Sequence, residues 1–343
     1  MDISVLGLPQ SGKSTFLKSL IKFNDSQELP EICTLKINDD RLKEVGKLLG
    51  HNKLSYPEIS FKEVNILSIE NNKTAELKEI ESIQNSYGLL LVIRCFENNH
   101  SNQILSDIDE IITELIFSDT VIIENIIERR KNNTKGKTKQ ELENINGEIQ
   151  LLETLKLHLE QGQPLNSYTF PKTELKKLVG YNLITLKPIF VLLNFDQDRS
   201  IIESNGDITK IKNKYCYPAK LEMELSELSE NESEEFRQSL NIEPRQDYKV
   251  LKSLFKAMGK IIFITAGEQE IKGWEINKGD NSLIAASKIH SDISKGFIRA
   301  EVIEYNTFIE LGSWNNCKKE GKVKGNGKEY IVNDGDIINF LHS

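Results

Sequence analysis

Short apolar runs alternate with helical segments over much of the chain. Residues 2–6 (DISVL), 89–93 (LLLVI) and 189–193 (IFVLL) have the length and composition of strands that are buried on both faces. Residues 58–69 predict a further strand, and an amphipathic helix is predicted directly after Gly12. Because strands that alternate with helices form parallel sheets, the pattern predicts an α/β fold with a doubly wound parallel sheet.

A different pattern occupies residues 106–165. Apolar side chains recur there at helical spacing on both sides of a turn at residues 132–137 (NNTKGK). They are Ile111, Leu115, Ile122, Ile126 and Ile127 before the turn and Leu142, Ile145, Ile149, Leu152 and Leu159 after it. The spacing predicts an inserted antiparallel helical hairpin of coiled-coil type. Because the stripe covers only about three heptads, a plain two-helix insertion is the alternative.

The pattern changes again from residue 261 onward. Short strands are predicted at residues 261–265 (IIFIT), 297–302 (FIRAEV) and 329–332 (EYIV), and glycine-containing turns separate them. This arrangement predicts a small, separate α+β domain at residues 261–343.

Composition and charge limit the classes of function. The chain has 343 residues, which is more than one ordinary core requires and fits two or three domains. Its formal net charge of −8 argues against a nucleic-acid coat protein, and no apolar run is long enough to predict a membrane span. The first residues lack the pattern of a signal peptide and the four cysteines lack metal-ligand spacing, so we expect a reduced, cytoplasmic protein without membrane contact. The acidic residues 221–240 are interpreted as a solvated helix face rather than an acidic contact surface.

One motif carries recognisable chemistry. Residues 7–14 (GLPQSGKS) match G-x-x-x-x-G-K-S and stand between a predicted strand and a predicted helix, as a phosphate-binding loop requires. Its glycines let the backbone curl so that N–H groups point at phosphate oxygens. Lys13 brings a positive charge to the β- and γ-phosphates, and the Ser14 hydroxyl can bind Mg²⁺. The alternative is a chance Gly-Lys-Ser turn, which the strand–loop–helix context disfavours.

The motif completes the predicted organisation of the chain. Residues 1–105 and 166–260 are predicted to form the two parts of a P-loop nucleotide-binding domain. Residues 106–165 form the helical insertion between them, and residues 261–343 form the C-terminal domain.

The loop and several later segments resemble one known family. Residues 7–15 (GLPQSGKST) are similar to the GLPNVGKST of the YchF / Obg-like ATPase family, P-loop proteins of the translation-factor class of GTPases. Four further segments resemble, in order, its first switch YPFCTI, its RCFE, the start of its helical insertion and its SAKLE. They are Pro30 with residues 32–35, residues 94–97, residues 107–119 and residues 219–222.

The strongest resemblance is C-terminal. Residues 264–276 (ITAGEQEIKGWEI), 285–302 (AASKIHSDISKGFIRAEV) and 333–340 (NDGDIINF) resemble the family's terminal TGS-type β-grasp domain. The number and order of the segments carry the resemblance, which covers nearly the whole chain.

The resemblance implies a function and a set of site residues. The family binds ATP, often in preference to GTP, hydrolyses it slowly and associates with ribosomes. Carried over by position, Asn194 and Phe195 meet the base, Ala219 and Lys220 lie behind it, and Ser14 with Thr34 holds Mg²⁺. The nucleotide-binding residues implied in this way are Pro9, Gln10, Ser11, Gly12, Lys13, Ser14, Thr15, Asn194, Phe195, Ala219 and Lys220.

Several of these residues also have plain structural interpretations. Thr34 fits a strand edge, Asn194 fits the turn after a buried strand, and Phe195 fits a core position. The long side chain of Lys220 can combine packing with charge.

The chain departs from the family where the second switch is expected. The family has DIAG and then a glycine-rich loop, whereas residues 64–71 read VNILSIEN. In this alignment Asn65 replaces the Asp that reaches Mg²⁺ through water, and Ser68 replaces a Gly that contacts the γ-phosphate. No glycine stands between Gly50 and Gly88, and residues 71–83 predict an ordinary helix. We therefore expect weak positioning of the attacking water and slow hydrolysis.

The base-reading segment also differs. Guanine-specific relatives carry N-K-x-D, and the family has a Glu in place of that Asp, but here the fourth residue is the neutral Gln197. The loss of a charged acceptor disfavours strict guanine choice, although Asp196 can shift into that role. In the phosphate loop, Gln10 replaces an asparagine that some relatives use to hold K⁺.

Three functions remain open from the sequence alone: a slow, translation-linked ATPase, a catalytically inactive nucleotide-binding scaffold, and a GTPase. The resemblance also implies ribosome or RNA contact through the C-terminal domain and the helical hairpin. Residues 318–328 agree with such a contact, since they carry five lysines against one glutamate. A solvated lysine-rich hairpin explains that charge equally well.

Overall fold

In the computed structural model of the chain, the described residues are 1–21, 29–65, 73–96, 101–133, 136–196, 205–239, 247–267 and 270–343. The chain divides into two units. The first unit comprises Met1–Cys33 and Ser60–Gln246, and the second comprises Thr34–Ile59 and Asp247–Ser343. The finer division into four sequence segments stays a prediction.

Strands and helices alternate along the first unit, as the hydrophobic pattern predicts. The strands of the chain are β1 (Asp2–Leu6), β2 (Ile32–Lys36), β3 (Leu54–Ser55), β4 (Glu58–Glu63), β5 (Gly88–Cys95), β6 (Ile189–Phe195), β7 (Lys214–Tyr217), β8 (Lys260–Ala266), β9 (Ile271–Asn277), β10 (Phe297–Ile303), β11 (Lys324–Asn326) and β12 (Ile337–His342). The helices are α1 (Lys13–Leu20), α2 (Asp40–Leu49), α3 (Lys73–Asn85), α4 (Ser101–Asn132), α5 (Lys139–Glu160), α6 (Lys172–Leu178), α7 (Gly206–Lys210), α8 (Ala219–Ser226), α9 (Glu230–Ser239), α10 (Asp247–Ala257), α11 (Ser282–Ile289), α12 (Ser291–Lys295), α13 (Tyr305–Leu311) and α14 (Trp314–Lys319).

The first sheet has the strand order β2-β4-β1-β5-β6-β7. The pairs β4–β1, β1–β5, β5–β6 and β6–β7 are all parallel, which confirms the predicted α/β fold. Residues 89–93 of β5 are at most 1% exposed, as expected for a strand that is covered on both faces. Parallel pairing places the carboxyl ends of β1, β4, β5 and β6 at one edge, where such sheets bind ligands.

The helices α4 and α5 form the predicted hairpin. Ion pairs join Arg130 to Glu148 at 3.1 Å and Lys156 to Glu124 at 2.6 Å, so the two helices run antiparallel. Between and beside them lies a row of buried side chains: Ile116, Ile123, Ile127, Ile145, Ile149, Leu152, Leu155 and Leu159. The hairpin is thus held by an apolar seam, and its coiled-coil character stays a prediction.

A buried carboxylate fixes α4 to the chain that leads back into the sheet. Asp119 is fully buried and accepts hydrogen bonds from the backbone N–H groups of Ile184 and Thr185, both at 2.7 Å, and from the Thr185 hydroxyl at 2.6 Å. Burial raises the pKa of Asp119, and these hydrogen bonds oppose the rise. The segment that it holds continues into β6, one of the strands that end at the ligand-binding edge.

The acidic segment forms α8 and α9, and most of its charged residues are exposed, in agreement with the interpretation as a solvated face. Glu222 and Arg237 differ, because their side chains are only 3% and 5% exposed and form two hydrogen bonds of 2.7 and 3.1 Å. Replacing only one residue of such a bidentate pair is costly, because the charge of the other residue is left buried without a partner. It therefore holds α9 against α8.

The second unit has its own sheet, with the strand order β11-β10-β12-β8-β9-β3. The pairs β8–β9, β10–β11 and β10–β12 are antiparallel, whereas β12–β8 and β3–β9 are parallel. Ala285 and Ala286 of α11 are fully buried with Phe263 and Ala300 of the sheet, because small side chains let the helix lie close to the strands. A C-terminal α+β arrangement is present, and its assignment as a TGS domain stays a prediction.

The predicted strand at residues 329–332 is wrong. The chain makes only an isolated bridge there, at Ile331, and the strand that follows is β12. Asp336 accounts for the difference, because it accepts hydrogen bonds from the Tyr330 hydroxyl at 2.8 Å and from the Asn333 N–H at 2.9 Å. These bonds close a turn in a segment whose composition favours a strand.

We predict that Asp119→Ala increases hydrogen exchange at the amides of Ile184 and Thr185 by about 5- to 150-fold. The substitution leaves two buried N–H groups without an acceptor, at a cost of about 1–3 kcal/mol. Exchange measured by NMR or mass spectrometry checks this. Asp109→Ala, at an exposed position of the same helix, is the control and should leave both amides unchanged. Equal exchange in the two variants would contradict the assigned role.

Candidate functional site

A cavity of about 630 Å³ lies at the carboxyl ends of the strands of the first sheet. The phosphate-binding loop forms one side, and residues that end or follow β4, β5 and β6, with the start of α8, form the other. The lining residues are Pro9, Gln10, Ser11, Gly12, Lys13, Ser14, Thr15, Glu63, Asn65, Phe96, Asn194, Phe195, Asp196, Lys220 and Met223. We call this cavity the candidate nucleotide site.

Two positions of the loop require glycine, because other groups lie very close to the backbone there. A Cβ on Gly7 would lie 2.5 Å from the carbonyl oxygen of Val92, and a Cβ on Gly12 would lie 2.2 Å from Nδ2 of Asn194. Gly12 also has a φ of +93°, which side chains other than glycine rarely adopt. The helix α1 begins directly after it, so its unpaired N–H groups face the loop. The motif spacing thus produces a backbone that can surround a phosphate.

Lys13 is buried at the base of the loop. Its ammonium group donates a hydrogen bond to the carbonyl oxygen of Gly7 at 2.9 Å and a longer one to that of Leu8 at 3.4 Å. Burial lowers the pKa of Lys13, and the carboxylates of Glu63 and Glu79 oppose this effect. The charge is therefore held inside the cavity by main-chain oxygens that a phosphate can replace.

Ser14 faces a carboxylate from the neighbouring strand. Its hydroxyl donates a hydrogen bond to Oε2 of Glu63 at 2.8 Å, and Oε1 of Glu63 lies 4.0 Å from the Lys13 ammonium nitrogen. Two residues further on, the backbone N–H of Asn65 donates to Glu79 of α3 at 2.6 Å. The hydroxyl expected to contact Mg²⁺ is thus next to an acidic side chain that the motif alone does not specify.

Asn194 joins the two sides of the candidate nucleotide site. It is 4% exposed, its Nδ2 donates to the carbonyl oxygen of Ser11 at 2.9 Å, and its Oδ1 accepts from the N–H of Ala219 at 3.1 Å. The end of β6 is in this way tied both to the phosphate loop and to the start of α8.

The remaining lining residues surround the end of the cavity away from the loop. Phe195 is 5% exposed and belongs mainly to the core of the first unit, in agreement with its plain structural interpretation. Asp196 and Lys220 are exposed, and Met223 is half-buried one turn further along α8. Phe96 follows β5, and the guanidinium carbon of Arg94 lies 4.9 Å from the centre of its ring.

The structure brings together nearly all the residues that the sequence assigns to nucleotide binding. Ala219 is the exception among them, since it contacts the site through Asn194 and not as a lining residue. Thr34 belongs to the second unit, so its part in Mg²⁺ binding stays a prediction. Ser68 and Gln197 lie outside the described residues.

Three lining residues were missed by the sequence analysis as site residues: Glu63, Phe96 and Met223. Met223 follows the lining residue Lys220 by three positions on α8, so helical periodicity could have found it. The position of Glu63 in the site depends on the pairing of β4 with β1, where it lies opposite Val5. A pairing between segments so far apart in sequence leaves no local pattern from which it could be predicted.

Comparison with known proteins decides the family. The chain is 32% identical to the "Ribosome-binding ATPase YchF" of Buchnera aphidicola subsp. Acyrthosiphon pisum (strain APS), over 98% of this chain and 98% of that protein. The chain belongs to the YchF family. Proteins of the same name from Haemophilus influenzae and Bacillus subtilis are 30% and 29% identical, over 98% and 99% of this chain and 97% and 98% of their own lengths.

Two further comparisons agree with membership in the YchF family. The structure of the Schizosaccharomyces pombe YchF GTPase has a TM-score of 0.82 and 23% identity, over 99% of this chain and 97% of that chain, and this shows the shared fold. A family model described as "YchF-GTPase_C: Protein of unknown function (DUF933)" matches residues 261–343. The family resemblance seen in the sequence is confirmed. Among the described helices, none is long and apolar enough to cross a membrane.

We predict that Asn194→Asp lowers the midpoint of thermal unfolding of the first unit by about 2–12 °C. The new carboxylate oxygen faces the Ser11 carbonyl oxygen, so one buried hydrogen bond is lost at a cost of about 1–3 kcal/mol. Scanning calorimetry measures the change. Asn102→Asp, which alters an exposed residue of α4 in the same way, should shift the midpoint by less than about 2 °C. If both variants unfold at the wild-type temperature, the bridging role of Asn194 is wrong.

Proposed function

We propose that this YchF-family chain binds ATP, with GTP as the alternative, in the candidate nucleotide site and hydrolyses it slowly. The observation that carries the proposal is the joint placement of the phosphate loop, Lys13, Ser14 and the start of α1 at the carboxyl edge of a parallel sheet. The name of the relatives, "Ribosome-binding ATPase YchF", supports the same function.

The phosphate end of the site supplies positive charge and N–H donors. Lys13 exchanges its main-chain acceptors for the β- and γ-phosphate oxygens when nucleotide binds. The loop N–H groups and the start of α1 add fixed dipoles that favour an anion. These groups hold phosphate in the ground state and need little rearrangement.

The residues also fit Mg²⁺, which would neutralise phosphate charge when bound with nucleotide. The ion prefers oxygen ligands, and the Ser14 hydroxyl and a carboxylate stand side by side in the cavity. The described residues hold no cluster of three or more His, Cys, Asp or Glu side chains that could bind a metal. Ser14 would therefore hold the ion together with phosphate and water oxygens, and the part that the family resemblance gives to Thr34 stays a prediction.

The choice between ATP and GTP depends on the end of the site that lies away from the phosphate loop. Asn194 and the start of α8 position the base, and Lys220 and Met223 offer long side chains to its faces. The position of Asp196 favours GTP, because its exposed carboxylate lines the cavity and could accept hydrogen bonds from guanine. We favour ATP, because the family resemblance implies it and the relatives' names agree.

We attribute slow hydrolysis to weak positioning of the attacking water. Phosphoryl transfer depends on positioning and on charge stabilisation rather than on covalent chemistry. At the expected position of an acid the chain has Asn65, whose backbone is bonded to Glu79. A site that binds substrate and transition state equally well does not accelerate the chemical step. If hydrolysis is lost altogether, the chain is a catalytically inactive nucleotide-binding scaffold.

We propose ribosome association because the relatives' names state it for those proteins. The second unit contributes a lysine-rich surface at residues 318–328. Part of its charge is balanced locally, since Lys318 lies 3.5 Å from Glu301 and Lys324 lies 3.5 Å from Glu304. An RNA contact through this surface, or through the α4–α5 hairpin, stays a proposal.

We predict that Lys13→Ala weakens the binding of ATP and GTP at least tenfold. The substitution removes one charge-assisted phosphate contact, which is worth about 1.5–3 kcal/mol, and about 1.4 kcal/mol corresponds to tenfold in affinity. Calorimetric titration of both nucleotides checks this. Lys47→Ala, an exposed residue of α2, should bind like the wild type. A folded Lys13→Ala protein with wild-type affinity would refute the nucleotide site.

We further predict that the chain alone turns ATP over well below about 1 s⁻¹, the lower end of the ordinary enzyme range. The reason is the neutral Asn65 at the position where an acid is expected. Phosphate release should be followed with and without ribosomes, because a partner can supply a missing group. Steady turnover at about 1 s⁻¹ or faster without ribosomes would show that a group not identified above orients the water.

A further inference from the structure

The helix α8 carries two stripes of side chains with different surroundings. Lys220 and Met223, three positions apart, line the candidate nucleotide site at the end away from the phosphate loop. Ala219, Glu222 and Leu225, again three positions apart, form the buried face of the same helix. Because the two stripes lie side by side, a rotation of α8 about its axis would move Lys220 and Met223 relative to a bound base.

Two polar contacts fix α8, and they lie one turn apart. At the start of the helix, the N–H of Ala219 donates to Oδ1 of Asn194 at 3.1 Å. On the next turn, the two carboxylate oxygens of Glu222 accept hydrogen bonds from the terminal nitrogens of Arg237 at 3.1 and 2.7 Å. The first contact holds one point of the backbone, which leaves rotation free. The second contact holds a side chain away from the helix axis, and the two together set the rotation of α8.

The contact between Glu222 and Arg237 is a rigid one. Both side chains are at most 5% exposed, so water does not compete for the hydrogen bonds. A guanidinium that binds both oxygens of a carboxylate forms a planar fork, which resists rotation as well as separation. A lysine at position 237 would supply the charge but not the fork.

The rest of α9 contributes little to the interior. Among its described side chains, at residues 231–239, Arg237 is the only buried one, and Phe236 beside it is 43% exposed. A buried ion pair is weak evidence for stability by itself, because apolar residues of similar size often hold helices equally well. The directional geometry of this pair therefore points to a role in placing α8.

We propose that Arg237 is a positioning residue for the base end of the candidate nucleotide site. Through Glu222 it fixes the rotation of α8 and, with it, the places of Lys220 and Met223. The proposal rests on the nucleotide-binding function proposed above. Loss of the pair weakens the binding of a base and leaves phosphate binding intact, because Lys13 and the phosphate loop belong to other elements.

The test compares a ligand that has a base with one that has none. Dissociation constants of a slowly hydrolysed ATP analogue and of inorganic tripolyphosphate are measured by calorimetry in excess Mg²⁺. The single variants are Arg237→Gln, Arg237→Lys and Arg129→Gln. Arg129 is the matched control, because it is exposed on α4. A double variant, Glu222→Gln with Arg237→Met, removes the fork without leaving a buried charge.

Circular dichroism verifies that each variant is folded at the temperature of the titration. The double variant keeps the test decisive if Arg237→Gln alone fails to fold, since both lack the fork.

We expect Arg237→Gln and the double variant to bind the ATP analogue about 3- to 30-fold more weakly, as is typical of residues that act on a ligand without touching it. Their affinity for tripolyphosphate should change by less than about twofold. Arg237→Lys should recover part of the loss, and Arg129→Gln should behave like the wild type. Hydrogen exchange gives a second readout: without ligand, amides of residues 219–223 should exchange faster in Arg237→Gln, and those of residues 9–15 should not.

The inference and the proposed function can fail separately. If the double variant binds the ATP analogue like the wild type, or loses affinity for the analogue and for tripolyphosphate alike, Arg237 does not act on the base end and the nucleotide site stands. If the wild type binds neither ligand, the proposed function fails and the inference fails with it.

Discussion

The carboxamide of Asn194 is the contact on which the candidate nucleotide site depends. It donates to the carbonyl oxygen of Ser11 in the phosphate loop and accepts from the N–H of Ala219 at the start of α8. Gly12 permits this approach, since a Cβ at that position would lie 2.2 Å from the Asn194 nitrogen. One buried side chain thus sets the distance between the phosphate end and the base end of the cavity, and the parallel pairing of β5 with β6 sets the position of that side chain.

The local features of the fold could be predicted from the sequence. The strand at residues 89–93, the hairpin helices and the phosphate loop each have a pattern that is complete within a short window. The family resemblance extended this to Asn194 and Lys220, which lie far from the loop in sequence. Features that depend on pairing between distant segments could not be predicted, because nothing local records them.

Three residues illustrate this limit. Glu63 reaches Ser14 only through the register of β4 against β1. Glu222 and Arg237 lie in a segment whose composition indicates a solvated face, yet they are buried together between two helices. Charged residues are expected to be exposed to solvent. Each of these three residues instead has a partner that only the fold brings close to it.

The balance of charge in the candidate nucleotide site connects nucleotide binding with the slow turnover that we propose. Lys13 and the start of α1 attract phosphate, whereas the carboxylates of Glu63 and Glu79 repel it. Asn65 stands where the family resemblance places an acid, so the charge that holds phosphate is not matched by that acid.

The central claim is that this cavity is where nucleotide binds, and hydrogen exchange with and without ATP and Mg²⁺ tests it most directly. We predict slower amide exchange in residues 9–15 and 219–223 when nucleotide is present, since both sides of the cavity contact it. Unchanged exchange in these two segments at saturating ATP, or protection confined to the second unit, would contradict it.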